Sequence, residues 1–178
     1  GKNDAARAKV FTKIGRELMV AIKEGGSADP NVNSKLKDCI AKAKAANVPN
    51  ENIERIIKKA ANDNDAANFE SVTYEGYGPC GVAVIVEALT DNRNRTAGEV
   101  RHYFDKFGGN LGAVGCVSFM FSKKGIVIIE NTGLDEDKVM EDCMEANADD
   151  FSIEDETVEF ISASNELGTV RDTLTEKG

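Results

Sequence analysis

One histidine, four scattered cysteines and no tryptophan leave this 178-residue chain short of the groups from which most enzyme sites are assembled. His102 is predicted on the exposed face of a helix with no serine or cysteine nucleophile identifiable beside it, which argues against histidine-assisted catalysis. Cys39, Cys80, Cys116 and Cys143 lie far apart, with no CxxC pair and no histidine near them in sequence. That spacing argues against a zinc site and against a disulfide framework, and it fits reduced structural thiols in a cytoplasmic protein. No apolar run approaches the ~20 residues needed to span a bilayer, and no secretory apolar stretch opens the chain, so no membrane association is expected. Hydrophobic residues at 41% and charged residues at 30% are ordinary for a folded globular protein.

What the chain does have is charge sorted by position. Residues 1–60 carry 13 Lys and Arg against 7 Asp and Glu, a net of +6. Residues 61–178 carry 9 against 24, a net of −15, and most of that excess falls after residue 124. A total of −9 would argue against a polyanion partner. Phosphates, however, respond to the field within about a Debye length, ~10 Å at 0.1 M salt, so the basic end is free to meet one.

The basic third reads as helical. From about residue 4 to 24, Phe11, Ile14, Leu18 and Ala21 or Ile22 recur at helical spacing until Gly25 and Gly26 end the run. Asn33 is a candidate N-cap for a second helix with Leu36, Cys39, Ile40 and Ala43 inward, and residues 47–50 break the chain before a third with Ile53, Ile56 and Ile57 inward. Cations occupy the remaining faces: Lys9, Lys13 and Arg16 on the first helix, Lys42 and Lys44 late on the second, Arg55, Lys58 and Lys59 on the third. Two readings are open: solvated helix faces, or a nucleic-acid-binding surface, the latter favoured because three consecutive helices share the bias.

Residues 61–71 read as a polar linker. Beyond it, 82–88 is a β-branched run suited to a buried strand, and 94–107 is an amphipathic helix with Ala97, Val100, Phe104 and Phe107 inside. Gly108 and Gly109 close that helix, and the alternation of Val117, Phe119 and Phe121 predicts a second buried strand, a compact βαβ unit. The acidic end repeats the pattern, with a strand at 126–130, a helix at 135–147, a strand at 157–161 and a helix at 166–176. The expectation is an α+β chain in three parts: a basic helical domain (1–66), a central α/β domain (67–124) and an acidic α/β domain (125–178).

Several motif matches carry no function. Residues 76–81 match GxGxxG, but the glycines precede a strand and Pro79 lacks an amide, so a turn between strands is expected, not a dinucleotide site. Gly108, Gly109, Gly112 and Gly115 lack the GK[ST] ending of a P-loop. The acidic stretch 149–159 lacks the spacing of a calcium loop and reads as a solvated face. No metal, cofactor or small-molecule substrate is expected. One loop is harder to set aside. Residues 90–96 place Arg93 and Arg95 at the start of a helix, where guanidinium forks and helix amides suit phosphate. An equally good structural reading pairs Arg95 with Glu99 and uses Asp91 or Asn94 as a cap.

The segments 74–79, 81–96 and 108–112, with 11–14, 42–49 and 52–59 upstream, resemble the YebC/PmpR family over essentially the whole chain. Two features of that family are missing: its basic N-terminal stretch with a tryptophan, and the C-terminal segment that returns to complete the central domain, so the sequence reads as a fragment. The resemblance implies a helical domain, a central α/β domain and an acidic domain inserted within it. It implies a non-enzymatic, cytoplasmic regulator of gene expression, described for bacterial members as DNA-binding and transcriptional. For other members it implies a translational activator at the ribosome, easing elongation at difficult stretches such as proline runs. The partner implied is DNA or ribosomal RNA, with a monomer expected. The family's nucleic-acid surface maps onto Lys9, Lys13, Arg16, Lys42, Lys44, Arg55, Lys58 and Lys59, and its arginine loop onto Arg93 and Arg95.

Overall fold

The structure, a computed structural model, describes residues 2–62 and 68–178, with side chains from residue 4 onward. The chain divides into two compact units, 1–118 and 119–178. The border expected at residue 66 lies outside the described residues.

The first unit begins with three helices, α1 (Lys2–Gly25), α2 (Ser34–Ala45) and α3 (Asn50–Asn62). The predicted apolar stripes meet in one core: Ile14, Leu18, Ala21 and Ile22 of α1 pack with Leu36, Ala43, Val48 and Ile53, and Phe11, Cys39, Ile40, Ile56 and Ile57 pack against them. Each fully buried aliphatic side chain contributes roughly 1.5–3 kcal/mol. Gly15 of α1 faces Ile56 of α3, where a Cβ would make an ordinary contact at 3.4 Å. Asn33 caps α2 as expected, accepting from the Leu36 amide at 3.1 Å. Its amide nitrogen also donates to the carbonyls of Ala21 (2.9 Å) and Ser27 (2.7 Å), tying the α1–α2 connection to the cap.

The helices lead into an antiparallel sheet of β1 (Glu70–Tyr77), β2 (Ala83–Thr90) and β3 (Asn110–Leu111), in the order β2-β1-β3, with α4 (Arg93–Lys106) between β2 and β3. The GxGxxG stretch ends β1 with Gly76 and Tyr77, and its remainder, Gly78–Gly81, is the turn of the β1–β2 hairpin. The Gly78 amide donates to the Val82 carbonyl at 2.7 Å, and Gly81 takes the left-handed conformation with φ of 75°. Gly76 permits the approach of β3, because a Cβ there would lie 2.5 Å from the Asn110 carbonyl and 2.9 Å from Phe104 of α4.

Several sequence-based expectations are corrected here. The stretch read as a linker is shorter, because α3 continues to Asn62 and β1 starts at Glu70; residues 63–67 lie outside the described ones. The strand after α4 is not 117–121 but the two-residue β3. Val117 is buried, yet Phe119 is 77% exposed and Phe121 is exposed as well. Phe107 lies outside too, leaving Ala97, Val100 and Phe104 half-buried on the inner side of α4.

In the second unit β4 (Lys124–Glu130), β5 (Asp150–Ile153) and β6 (Thr157–Ala163) form an antiparallel sheet with β6 in the middle, and α5 (Glu136–Glu145) and α6 (Leu167–Lys177) complete it. Val139, Cys143 and Ala146 from the α5 segment and Val170 from α6 pack on Val158 and Phe160 of β6. Strand β5 escapes the sequence pattern: its alternation is short and begins inside an acidic stretch, so part of what reads as a solvated face is a sheet edge. The overall class is α+β, a helical module followed by two small sheet-and-helix modules.

Candidate nucleic-acid interface

Residues four and three apart on α1 line up along one side of the helix, which sets Lys9, Lys13 and Arg16 in a row. That row faces the β1–β2 hairpin across an open groove of about 860 Å³. Ala8, Thr12, Glu17 and Lys42 complete the helical wall, and Ser71, Thr73, Glu87 and Leu89 line the sheet wall. The last four share a face because Ser71 stands opposite Leu89 and Thr73 opposite Glu87 in the antiparallel register. The α4 side of the same sheet carries Gly76 against Phe104, so α1 and α4 address opposite faces.

Four of the predicted cations therefore meet in one place: Lys9, Lys13, Arg16 and Lys42. Lys42 Nζ is held at 2.8 Å by Glu17, which fixes its position at the cost of part of its field. The Arg16 guanidinium lies over the Phe69 ring at 4.9 Å from its centroid. The other members of the set are elsewhere. Lys44 on α2 and Arg55, Lys58 and Lys59 on α3 do not line the groove.

The arginine loop is arranged differently from the sequence-based reading. Asn92, not Asp91 or Asn94, caps α4, accepting from the Arg95 amide at 3.0 Å. Arg95 pairs with Asp91 at 2.5 Å, not with Glu99, and Arg93 reaches Glu70 at 3.5 Å. Hydrogen bonding from Arg95, with the positive field of Arg16 adding to it, holds the Asp91 carboxyl below the usual carboxylate range. Thr90 and Thr96 lock the loop through a hydroxyl–hydroxyl contact of 2.7 Å.

Sequence reasoning missed Phe69 and the hydroxyl-bearing sheet wall, because their role depends on which face of the hairpin meets α1. It also missed Glu75. This carboxylate is 3% exposed and accepts the backbone amides of Gly115 (2.5 Å), Val117 (3.2 Å) and Ser118 (2.6 Å). Those amides, that of Gly115 foremost, pull its pKa down against the effect of desolvation. Glu75 thereby holds the loop 112–118 against β1. His102 is exposed and touches only the edge of Tyr103 among the described aromatic rings. Among the described residues, no group of His, Cys, Asp and Glu is placed to hold a metal ion, and no helix is long and apolar enough to cross a membrane.

A three-helix module followed by antiparallel sheet-and-helix modules, with a lysine- and arginine-lined groove between α1 and the first hairpin, defines the class as an α+β protein. The chain belongs to the TACO1/YebC family. Residues 1–63 match the model of the TACO1/YebC protein N-terminal domain, and residues 69–178 match that of the TACO1/YebC second and third domain. It is 61% identical over 178 residues to a "Probable transcriptional regulatory protein" of Acetivibrio thermocellus, covering 99% of this chain and 73% of that protein. A protein of the same description from Finegoldia magna is 57% identical, covering 100% and 73%. The crystal structure of a conserved hypothetical protein from Aquifex aeolicus superposes with a TM-score of 0.82 at 46% identity, covering 98% of this chain and 72% of that one.

Proposed function

We propose that this protein is a non-enzymatic regulator of gene expression that binds nucleic acid, DNA in the first instance, through the groove between α1 and the β1–β2 hairpin. The observation that carries the reading is the convergence of Lys9, Lys13, Arg16 and Lys42 on one concave surface in a chain whose net charge is −9. The names borne by its relatives in Acetivibrio and Finegoldia support a transcriptional role. Lys44, Arg55, Lys58 and Lys59 extend the positive field over neighbouring helices and draw the polyanion in, while Arg93 and Arg95 flank the groove from the α4 end. The binding is directed mainly at phosphate, because lysine supplies point charges to the backbone and reads few base edges. The chain acts as a monomer in the cytoplasm.

The same predominance of lysine favours a second reading, a ribosome-associated factor held on structured RNA by its backbone. Crosslinking of tagged full-length protein in cells, with sedimentation of the same lysate over a gradient, separates the two. DNA fragments enriched around promoters, with the protein remaining at the top of the gradient, are expected. Co-sedimentation with ribosomes and crosslinks to ribosomal RNA alone would replace the transcriptional reading with the translational one.

A further inference from the structure

The second unit packs both of its helices on one face of its sheet, through Val127, Ile129, Phe151, Ile153, Val158 and Phe160. The register assigns the alternate residues to the other face. Ile126 stands opposite Ile161, which stands opposite Asp150; Ile128 stands opposite Glu159, which stands opposite Ser152. Among the described residues, neither helix of this unit covers that side, and Ile126 is 51% and Ile128 58% exposed. An apolar strip therefore runs along β4, backed by Ile161 of β6.

Its surroundings are acidic. Glu130 ends the strip on β4, Glu159 and Asp150 lie beside it, and Glu154, Asp155 and Glu156 form the adjoining β5–β6 turn. Lys124 stands at the far end, already 3.6 Å from Asp149. Residues 119–178 carry 5 Lys and Arg against 16 Asp and Glu, a net of −11. A field of that sign repels nucleic acid and anionic lipid surfaces alike, while the isoleucines require an apolar counterpart. The two demands are met together by a segment with a hydrophobic stripe and flanking Lys or Arg.

We propose that the open face of the second sheet is a docking surface for a basic amphipathic helix of a partner protein, with Ile126, Ile128 and Ile161 receiving its apolar stripe and Glu130, Asp150 and Glu159 pairing its cations. A helix fits because the opposite face of the same sheet already packs two. The surface belongs to a different unit from the cationic groove and carries the opposite charge, so the two select different partners.

The test uses the full chain and a synthetic helix of Leu and Lys with all the leucines on one face. Binding that weakens with salt and shifts the methyl resonances of Ile126 and Ile128 is expected. A control helix with the leucines replaced by glutamine should bind about tenfold more weakly or worse, from the loss of apolar burial alone. Ile126→Ser with Ile128→Ser, which leaves charge unchanged, should weaken the Leu/Lys helix to the level of the control. Should that pair of substitutions disturb folding by circular dichroism, Glu159→Gln serves instead, with affinity expected to drop severalfold at low salt. Equal binding of both helices, or shifts confined to other residues, would overturn the proposal. Salt-sensitive self-association that displaces the helix would also overturn it, in favour of a second copy of the chain.

Discussion

The guanidinium of Arg16 lies 4.9 Å from the centre of the Phe69 ring, joining the α1 cation row to the residue that precedes β1. A flat cation on an aromatic face is worth about 0.5–1 kcal/mol at an exposed site, and it also holds the fork in one orientation. Arg16→Lys keeps the charge and loses the fit. The expected result is a roughly two- to fivefold loss of nucleic-acid affinity with an unchanged salt slope, whereas Arg16→Gln lowers the slope by about one. Fluorescence anisotropy titrations at several salt concentrations check both.

Asp91 offsets positive charge at the start of α4. It accepts from Arg95 at 2.5 Å, and that hydrogen bond, with a smaller contribution from the field of Arg16, holds its carboxyl below the usual carboxylate range. Replacing it by asparagine removes one negative charge from the edge of the groove and frees Arg95. Affinity for nucleic acid should rise severalfold, and the salt slope should steepen by up to about one. If affinity is unchanged, Arg93 and Arg95 stand outside the interface.

Glu75 governs a pH dependence. Its folded-state pKa is depressed, chiefly by the Gly115 amide, so the stability it contributes is fully present above its unfolded value and is lost as pH falls through the folded one. Thermal unfolding followed from neutral pH down through the ordinary glutamate range should show the wild type losing stability more steeply than Glu75→Gln. The variant should be less stable at neutral pH and converge on the wild type in acid. Protease sensitivity of loop 112–118 should rise in the variant.

Asn33 performs three tasks with one side chain, capping α2 and satisfying two carbonyls in a site 3% exposed. Asn33→Ala removes the cap and leaves buried carbonyls without a donor, a combined cost of about 2–4 kcal/mol in chemical denaturation. Asn33→Asp does not rescue it: the cap acceptor is kept, but a carboxylate then faces the Ala21 and Ser27 oxygens. Its stability at neutral pH should be no better than that of the alanine variant, and should improve as pH is lowered.

The helical third of the molecule was legible because local signals coincide there. Spacing, the Asn33 cap and the glycine stop after Glu24 each require the same fold, and α1, α2 and α3 lie where they point. The turn at Gly78–Gly81 was legible for the same reason, since a glycine-rich stretch before a β-branched run has few other uses. Residues 117–121 misled because alternation there does not reflect a ladder. The amides of Val117 and Ser118 are committed to the Glu75 carboxylate, a partner far earlier in the chain that no local pattern reveals. The groove was half legible. Lys9, Lys13 and Arg16 share a face by helical geometry, but the addition of Lys42 and the exclusion of Arg55, Lys58 and Lys59 depend on how helices and hairpin pack.

The most direct measurement is the slope of log affinity against log salt for duplex DNA, compared between the wild type and Lys9→Gln/Lys13→Gln/Arg16→Gln. Each phosphate contact releases condensed counterions and contributes about 0.9 to the slope, so the triple variant should lose about 2–3 and bind more weakly at low salt. The companion variant Arg55→Gln/Lys58→Gln/Lys59→Gln removes the same charge from outside the groove and should lose much less. An unchanged slope in the groove variant, with the loss appearing in its companion, would place the binding surface on α3 and contradict the assignment.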